Sequence, residues 1–324
     1  MADGLEIDRR LCRVGDLSLD ELTLEAMPSA DDGATVLRDL LGRAKRLNDA
    51  GLTLLGDQLN QIRKVDRSLG SQVTDLQLLA YMGTLAELRS FSLLPGRRER
   101  LADLFCDAAA LAGWVALDLG DVAASWRHHE SAKEAGRETG SPIALTHALA
   151  QQAYVLLDIG DTVQAVQLAE YALTVADRAV PAVLLAWLWA VLGEMQAIIG
   201  ADQLSRNASE RAERLLPANP ADPAVPYIML NEFHLARWRG AAFARLGDES
   251  AIDEMHFALT GTDSSWARAK AQLHVDLAYS LVTAKHEDQA VRQLDHARDL
   301  AIGIGSRRQK RRIRDLELLL QQTR

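Results

Sequence analysis

Aromatic residues make up only 5% of this chain, and valine and isoleucine never form long alternating runs. A sheet needs both kinds of residue on its pleated faces, so no strand is expected. Cysteine is almost absent. Cys12 and Cys106 are the only two, too few to staple a secreted scaffold and suited to small buried groups in a reducing cytoplasm. The opening residues, MADGLEIDRRLC, hold no apolar signal segment. The longest apolar stretch, AVPAVLLAWLWAVLG from Ala179 to Gly193, is shorter than a membrane span and contains Pro181. It reads as a buried helix, and no membrane contact is expected.

Catalytic and cofactor signatures are missing too. There is no Cys-x-x-Cys or His-Glu-x-x-His spacing for a metal. LGDQLNQIRK, Leu55 to Lys64, lacks the Lys-Ser/Thr ending of a phosphate loop. Ser125, in AASWRH, lacks the flanking glycines of a nucleophile elbow. No enzyme, cofactor or metal is expected on these grounds. A formal charge of −9 excludes a basic nucleic-acid binder as a whole molecule and leaves only a local basic patch.

What the chain has is alanine, leucine and a period. Its 324 residues are 48% apolar, and Ala and Leu lose little side-chain freedom in a helix. Gly120-Asp121 and Gly160-Asp161 lie forty residues apart, Gly200 forty further on, Gly247 after 47 more, and Lys285-His286 stands where the next glycine falls. Glycine serves the left-handed turn after one helix, and Asp caps the next. Asp202 is expected to cap in the same way after Gly200. A fixed period of this size indicates stacked supersecondary units. Five helix pairs are expected from about Asp103 to Ile302, beginning with Asp103 to Leu119 and Val122 to Thr139.

The extra length before Gly247 comes from LLPANPADPAVP, Leu215 to Pro226, whose four prolines cannot sit inside a helix. It is expected to form an extended loop projecting from the stack. Small residues recur at Gly113, Ala153, Gly193, Gly240 and Ala278 in first helices. They recur at Ala132, Ala172, Ala212 and Ala297 in second helices. Such residues let paired helices approach closely.

This pattern resembles the tetratricopeptide repeat. LAQQAYVLLDIGDTVQAVQLAEYALTVA is the best match, with Ala153, Gly160, Ala165 and Ala172 at the small positions. The period is longer than the usual thirty-four residues. The stretch GWVALDLGDVAASWRHHESAKEAGRETGSP, Gly113 to Pro142, is also similar to the repeat half of actinobacterial helix-turn-helix regulators. That resemblance extends from about Val36 to the C-terminus. It implies an all-α, right-handed superhelical solenoid of antiparallel helix pairs, acting as a sensor, docking or oligomerisation module. It transfers no catalytic residue. No counterpart of those regulators' DNA-binding domain is expected in these residues. Residues 1–30 offer one helix, Leu19 to Met27, capped by Ser18 with Glu21 completing a capping box. Residues 31–102 read as a helical region of degenerate repeats, 103–302 as the clear repeats, and 303–324 as a basic capping helix.

Two sets of residues invite a functional reading. First helices should line the concave face of a solenoid. Aligning the turns places Asp107, Trp114, Asp118, His147, Tyr154, Asp158, Trp187, Glu194, His234, Arg237, Arg245, Gln272 and Tyr279 there. A stripe that only packs would be mostly Leu, Val and Ala. The mixture of aromatics and charges suggests a groove for a protein or peptide, with a small-molecule ligand as an alternative. Aromatics bridging adjacent repeats are the plainer explanation for any one of them. The second set is RRQKRRIR, Arg307 to Arg314. Arg307, Arg308, Lys310, Arg311 and Arg312 either form the solvated face of a capping helix or contact an anion such as nucleic acid. His128 and His129 are adjacent, point about 100° apart on a helix and do not converge on a metal. A cytoplasmic interaction or sensor module is the first reading. A nucleic-acid-associated regulator and an enzyme with a cavity at the 217–226 loop are the alternatives. Oligomeric state stays open.

Overall fold

The computed structural model describes residues 30–177, 180–263 and 265–323. Cys12 and the helix expected at Leu19 to Met27 lie outside them. Among the described residues there are fourteen α-helices and no strand. Three helices come first: α1 (Ala30–Arg46), α2 (Asp49–Leu69) and α3 (Ser71–Ser90). Five pairs follow: α4 (Pro95–Asp118) with α5 (Val122–Thr139), α6 (Pro142–Asp158) with α7 (Thr162–Ala176), α8 (Ala182–Ile198) with α9 (Asp202–Leu215), α10 (Glu232–Arg245) with α11 (Ser250–Gly261), and α12 (Ala267–Thr283) with α13 (Glu287–Gly303). A last helix, α14 (Arg307–Thr323), ends the described chain. Each pair packs against itself and its neighbours. No described helix is long and apolar enough to cross a membrane.

The turns follow from local chemistry. Gly120, Gly160, Gly200 and Gly247 all take positive φ, and Lys285 takes the same conformation at φ 61° in place of a glycine. The Asp121 and Asp161 side chains accept from the amides of Ala124 and Gln164, satisfying donors that the helix itself leaves free. Asp202 differs from expectation. Ala201 holds the cap position, and Asp202 sits in the first turn, where it pairs with Arg206 at 2.7 Å.

The small residues do what close packing requires. A Cβ on Gly113 would stand 2.5 Å from the His129 ring, and one on Gly240 2.9 Å from Met255. Ser125 and Ser205 donate to the carbonyls of Gly113 and Gly193 at 2.7 and 2.8 Å. A hydroxyl is therefore useful where the best repeat has Ala165.

Two boundaries shift. α4 begins at Pro95 rather than near Asp103, so the division drawn after residue 102 falls inside a helix. Pro95 is tolerated because the first turn needs no amide from it. The proline loop keeps Pro220 outside any helix, as its composition requires. Most of its second half is exposed, but Val225 and, just beyond the loop, Ile228 and Leu230 are buried, because this apolar trio gains by entering the core.

The larger departure is long-range. α2, α4, α6, α8, α10 and α12 each touch the next, and α12 also touches α2. Six helices therefore form a ring, where the sequence suggested an open concave face. The seam is tight. Gly70, at φ 87°, lies so close to Ile304 that a Cβ would stand 2.3 Å from its backbone oxygen. Arg268 of α12 donates to Asp66 of α2 at 2.6 Å and to Ser71 Oγ of α3 at 2.6 Å. Ser71 and Ser306, from opposite ends of the chain, both donate to Asp118 of α4, at 2.9 and 2.6 Å.

Candidate functional site

A cavity of about 220 Å³ lies within the ring, and all six ring helices contribute to its wall. From α2 come Arg63, Asp66 and Arg67; from α4, Asp107, Leu111 and Trp114; from α6, His147, Gln151 and Tyr154; and from α8, Trp187. The loop before α10 adds Tyr227, Ile228 and Met229. His234, Arg237 and Trp238 stand on α10, and Trp266, Arg268, Ala269 and Gln272 on or just before α12. Four of the chain's six tryptophans are here, so the scarce aromatics are concentrated at one place.

The rings line the cavity in three groups. Trp114 meets Tyr154 edge-on at 5.8 Å. His147 lies 5.4 Å from Trp187 and stacks on Tyr227 at 4.1 Å. His234 stacks on Trp266 at 4.9 Å. Trp238 Nε1 donates to Tyr154 Oη at 3.0 Å, and Tyr154 donates to Glu194 at 2.7 Å.

Charges in the wall divide into two groups. Arg63 is paired with Asp107, and Arg268 with Asp66. Arg67 and Arg237 have no carboxylate within salt-bridge distance among the described residues. Arg67 donates to the Tyr227 carbonyl at 3.1 Å. Arg237 lies over the Trp238 ring at 4.0 Å, and its buried Nε has no hydrogen-bond partner. Burial pulls both guanidinium pKa values down from their ordinary range. The histidines are neutral near pH 7 because burial lowers them, His147 to about 3 and His234 to about 4. Neither ring nitrogen of His234 has a partner, nor does Gln151 Oε1 or Asp107 Oδ1. Buried groups of this kind each cost desolvation free energy unless something answers them.

Eight of the residues aligned to the concave face therefore meet at this cavity: Asp107, Trp114, His147, Tyr154, Trp187, His234, Arg237 and Gln272. Five do not. Asp118 is buried in the seam network. Asp158 holds Arg308 at 2.8 Å and also Arg311. Glu194 stands behind Tyr154, its carboxyl raised by burial and by Asp276. Arg245 lies over the Tyr279 ring at 4.6 Å, so this pair packs together away from the wall.

Arg63, Asp66 and Arg67 stand on α2, which precedes the periodic region, so the aligned turns give them no register. The signal was present in IRKVDR. Residues 63, 66 and 67 share one helix face, and that face carries charge beside the core positions Leu59 and Ile62. Tyr227 and Trp266 lie outside helices and had no register to reveal them.

The basic run is also placed differently. Arg308 is buried, against Asp158 and over the Trp114 ring at 5.4 Å. Arg311 shares Asp158, and Arg312 pairs with Asp276. Three of the five basic residues proposed for an anion thus hold α14 onto α6 and α12, while Arg307 remains exposed and Lys310 half-buried. Neutralising the run would remove internal ion pairs as well as surface charge. No family model matches the sequence, and no curated protein matches it.

Proposed function

We propose that this chain is a regulatory binding module whose site is the cavity inside the helix ring, taking a small molecule and performing no chemistry on it. One observation carries the reading. Unpartnered buried polar groups, His234 and Arg237 foremost, converge with aromatic rings on a single cavity. A few convergent polar groups in an aromatic wall are what recognition of a small ligand requires. The ring closure favours a small molecule over a peptide helix in an open groove. α14 backs the wall through Arg308, and the loop at Tyr227 covers another part of it.

The stack is further read as a right-handed, tetratricopeptide-like superhelix. That rests on the forty-residue spacing of Gly120, Gly160 and Gly200 and the small residues at each pair. Its resemblance to the repeat half of actinobacterial helix-turn-helix regulators suggests a cytoplasmic sensor that signals to a separate partner.

A thermal-shift screen against a panel of small metabolites tests the cavity. At least one compound should raise the Tm of the wild-type protein. At a concentration one hundred times its Kd, it would stabilise the fold by about 2.7 kcal/mol. Ala269→Phe adds bulk inside the cavity without removing a recognition group, and it should abolish the shift. Shifts that persist unchanged in a folded Ala269→Phe protein would place binding elsewhere, and a panel with no active compound would count against the reading.

A further inference from the structure

We infer that the cavity takes a planar aromatic monocarboxylate, its carboxylate held between Arg67, Arg237 and His234 and its ring lying among the tryptophans. This rests on the reading of the cavity as a ligand site and adds the chemical class.

The charge argument is one of exclusion. Of the four arginines in the wall, Arg63 and Arg268 already have carboxylate partners. Arg67 and Arg237 form no ion pair among the described residues: Asp66 acts on Arg67, and Glu194 and Asp276 on Arg237, only through their fields. Glu194 is engaged instead by the Tyr154 hydroxyl. A cation held in a partly desolvated wall without a partner is costly, and an anionic ligand would remove that cost.

His234 strengthens the assignment independently. It is buried, its two ring nitrogens are unpartnered, and it lines the cavity one helical turn from Arg237. Both Arg237 and Arg67 act on it electrostatically, so the three lie within one field. A neutral imidazole keeps one N–H to donate. Two guanidinium groups and that N–H match the two oxygens of a carboxylate. A single negative charge suffices, since Arg67 also serves the Tyr227 carbonyl.

The body of the ligand follows from the remaining wall and the size. Trp114, Trp187 and Trp238 present ring faces and edges, which favour another flat π-system. A dry apolar cavity of roughly 150 Å³ accepts benzene. The 220 Å³ here leaves room for one ring, or two fused rings, with a carboxylate.

The wall tryptophans supply the readout. Benzoate and indole-3-carboxylate, titrated against intrinsic fluorescence, should give saturable changes with a Kd below about 1 mM. Their amides, benzamide and indole-3-carboxamide, keep the ring and lose the charge. They should bind at least about tenfold more weakly, the factor expected from charge-assisted hydrogen bonds. Inorganic phosphate should leave the signal unchanged, because it brings charge without a ring. Arg237→Gln should remove the preference for acids over amides while retaining the circular dichroism of the wild type. Amides that bind as well as the acids would overturn the chemical class and leave the cavity reading standing. Silence from all four aromatic probes, alongside a hit of another class in the thermal screen, would also overturn it. Silence in both experiments would remove the cavity reading as well.

Discussion

Replacing Arg268 with Met is expected to destabilise the protein by about 3–5 kcal/mol, a cost typical of breaking a buried ion pair from one side. The side chain is buried where α12 meets α2. It serves Asp66, Ser71 and, at 3.6 Å, Asp118. Methionine fills similar space but leaves the buried carboxylates of Asp66 and Asp118 without the guanidinium that bridges them. The loss is attributable to those stranded charges rather than to the attraction alone. Replacing the whole set behaves differently: Arg268→Met combined with Asp66→Asn and Asp118→Asn should recover much of the stability. Urea denaturation measures both. A single-variant loss under about 1 kcal/mol would mean the seam is wet and dispensable, since exposed pairs contribute that little.

Acid should weaken the fold strongly well before ordinary carboxylates are protonated. His129, His147 and His234 are held down to about 3, 3 and 4 by burial, whereas in the unfolded chain each titrates near 6.5. The unfolded state therefore binds more protons across this window, and stability falls as pH falls below about 6.5. Between neutral pH and pH 5 each histidine withdraws about 2 kcal/mol. Set against the 5–15 kcal/mol typical of a folded domain, three such terms are large. Asp107 and Glu194 act in the opposite sense. Burial raises both, so they take up protons earlier than unfolded carboxyls and offset part of the loss. His129 lies away from the cavity, against Gly113, which makes His129→Gln a clean probe. The stability lost between pH 7 and 5, measured by denaturation, should be smaller by about 2 kcal/mol in that variant. An unchanged pH profile would mean that His129 is not held neutral by burial.

How much of this was readable from the chain depends on the range of the interaction involved. The turns at Gly120, Gly160, Gly200 and Gly247 were legible because left-handed φ and Asp capping are decided within a few residues. The cavity was half legible. Trp114, His147, Tyr154, Trp187, His234 and Arg237 occupy inner positions of helices that share a period, so aligning the turns found them. Asp118 and Asp158 obey the same register yet are consumed by Ser71, Ser306 and Arg308. Those partners arrive from distant sequence and leave no local trace. The closure itself is of this kind: Arg268 and Asp66 are separated by 202 positions, and nothing periodic connects them. The basic run has the sequence of a surface feature for the same reason, since Asp158 and Asp276 lie far from it in the chain. The return of the chain to the core at the end of the proline loop had a weak signal in Val225, Ile228 and Leu230, apolar residues that an exposed segment has no use for.

Closure of the six helices around one cavity is the claim from which the binding site follows. Spin labels at Val73→Cys on α3 and Ile302→Cys on α13 flank the seam on exposed positions. With Cys12→Ser as background, and Cys106 protected by its burial, pulsed electron resonance reads the distance between them in solution. A closed ring predicts one narrow distribution at the short end of the measurable range. A broad distribution lengthened by one or more helix spacings of about 8–10 Å would show an open stack, and would contradict the cavity within the ring and the function built on it.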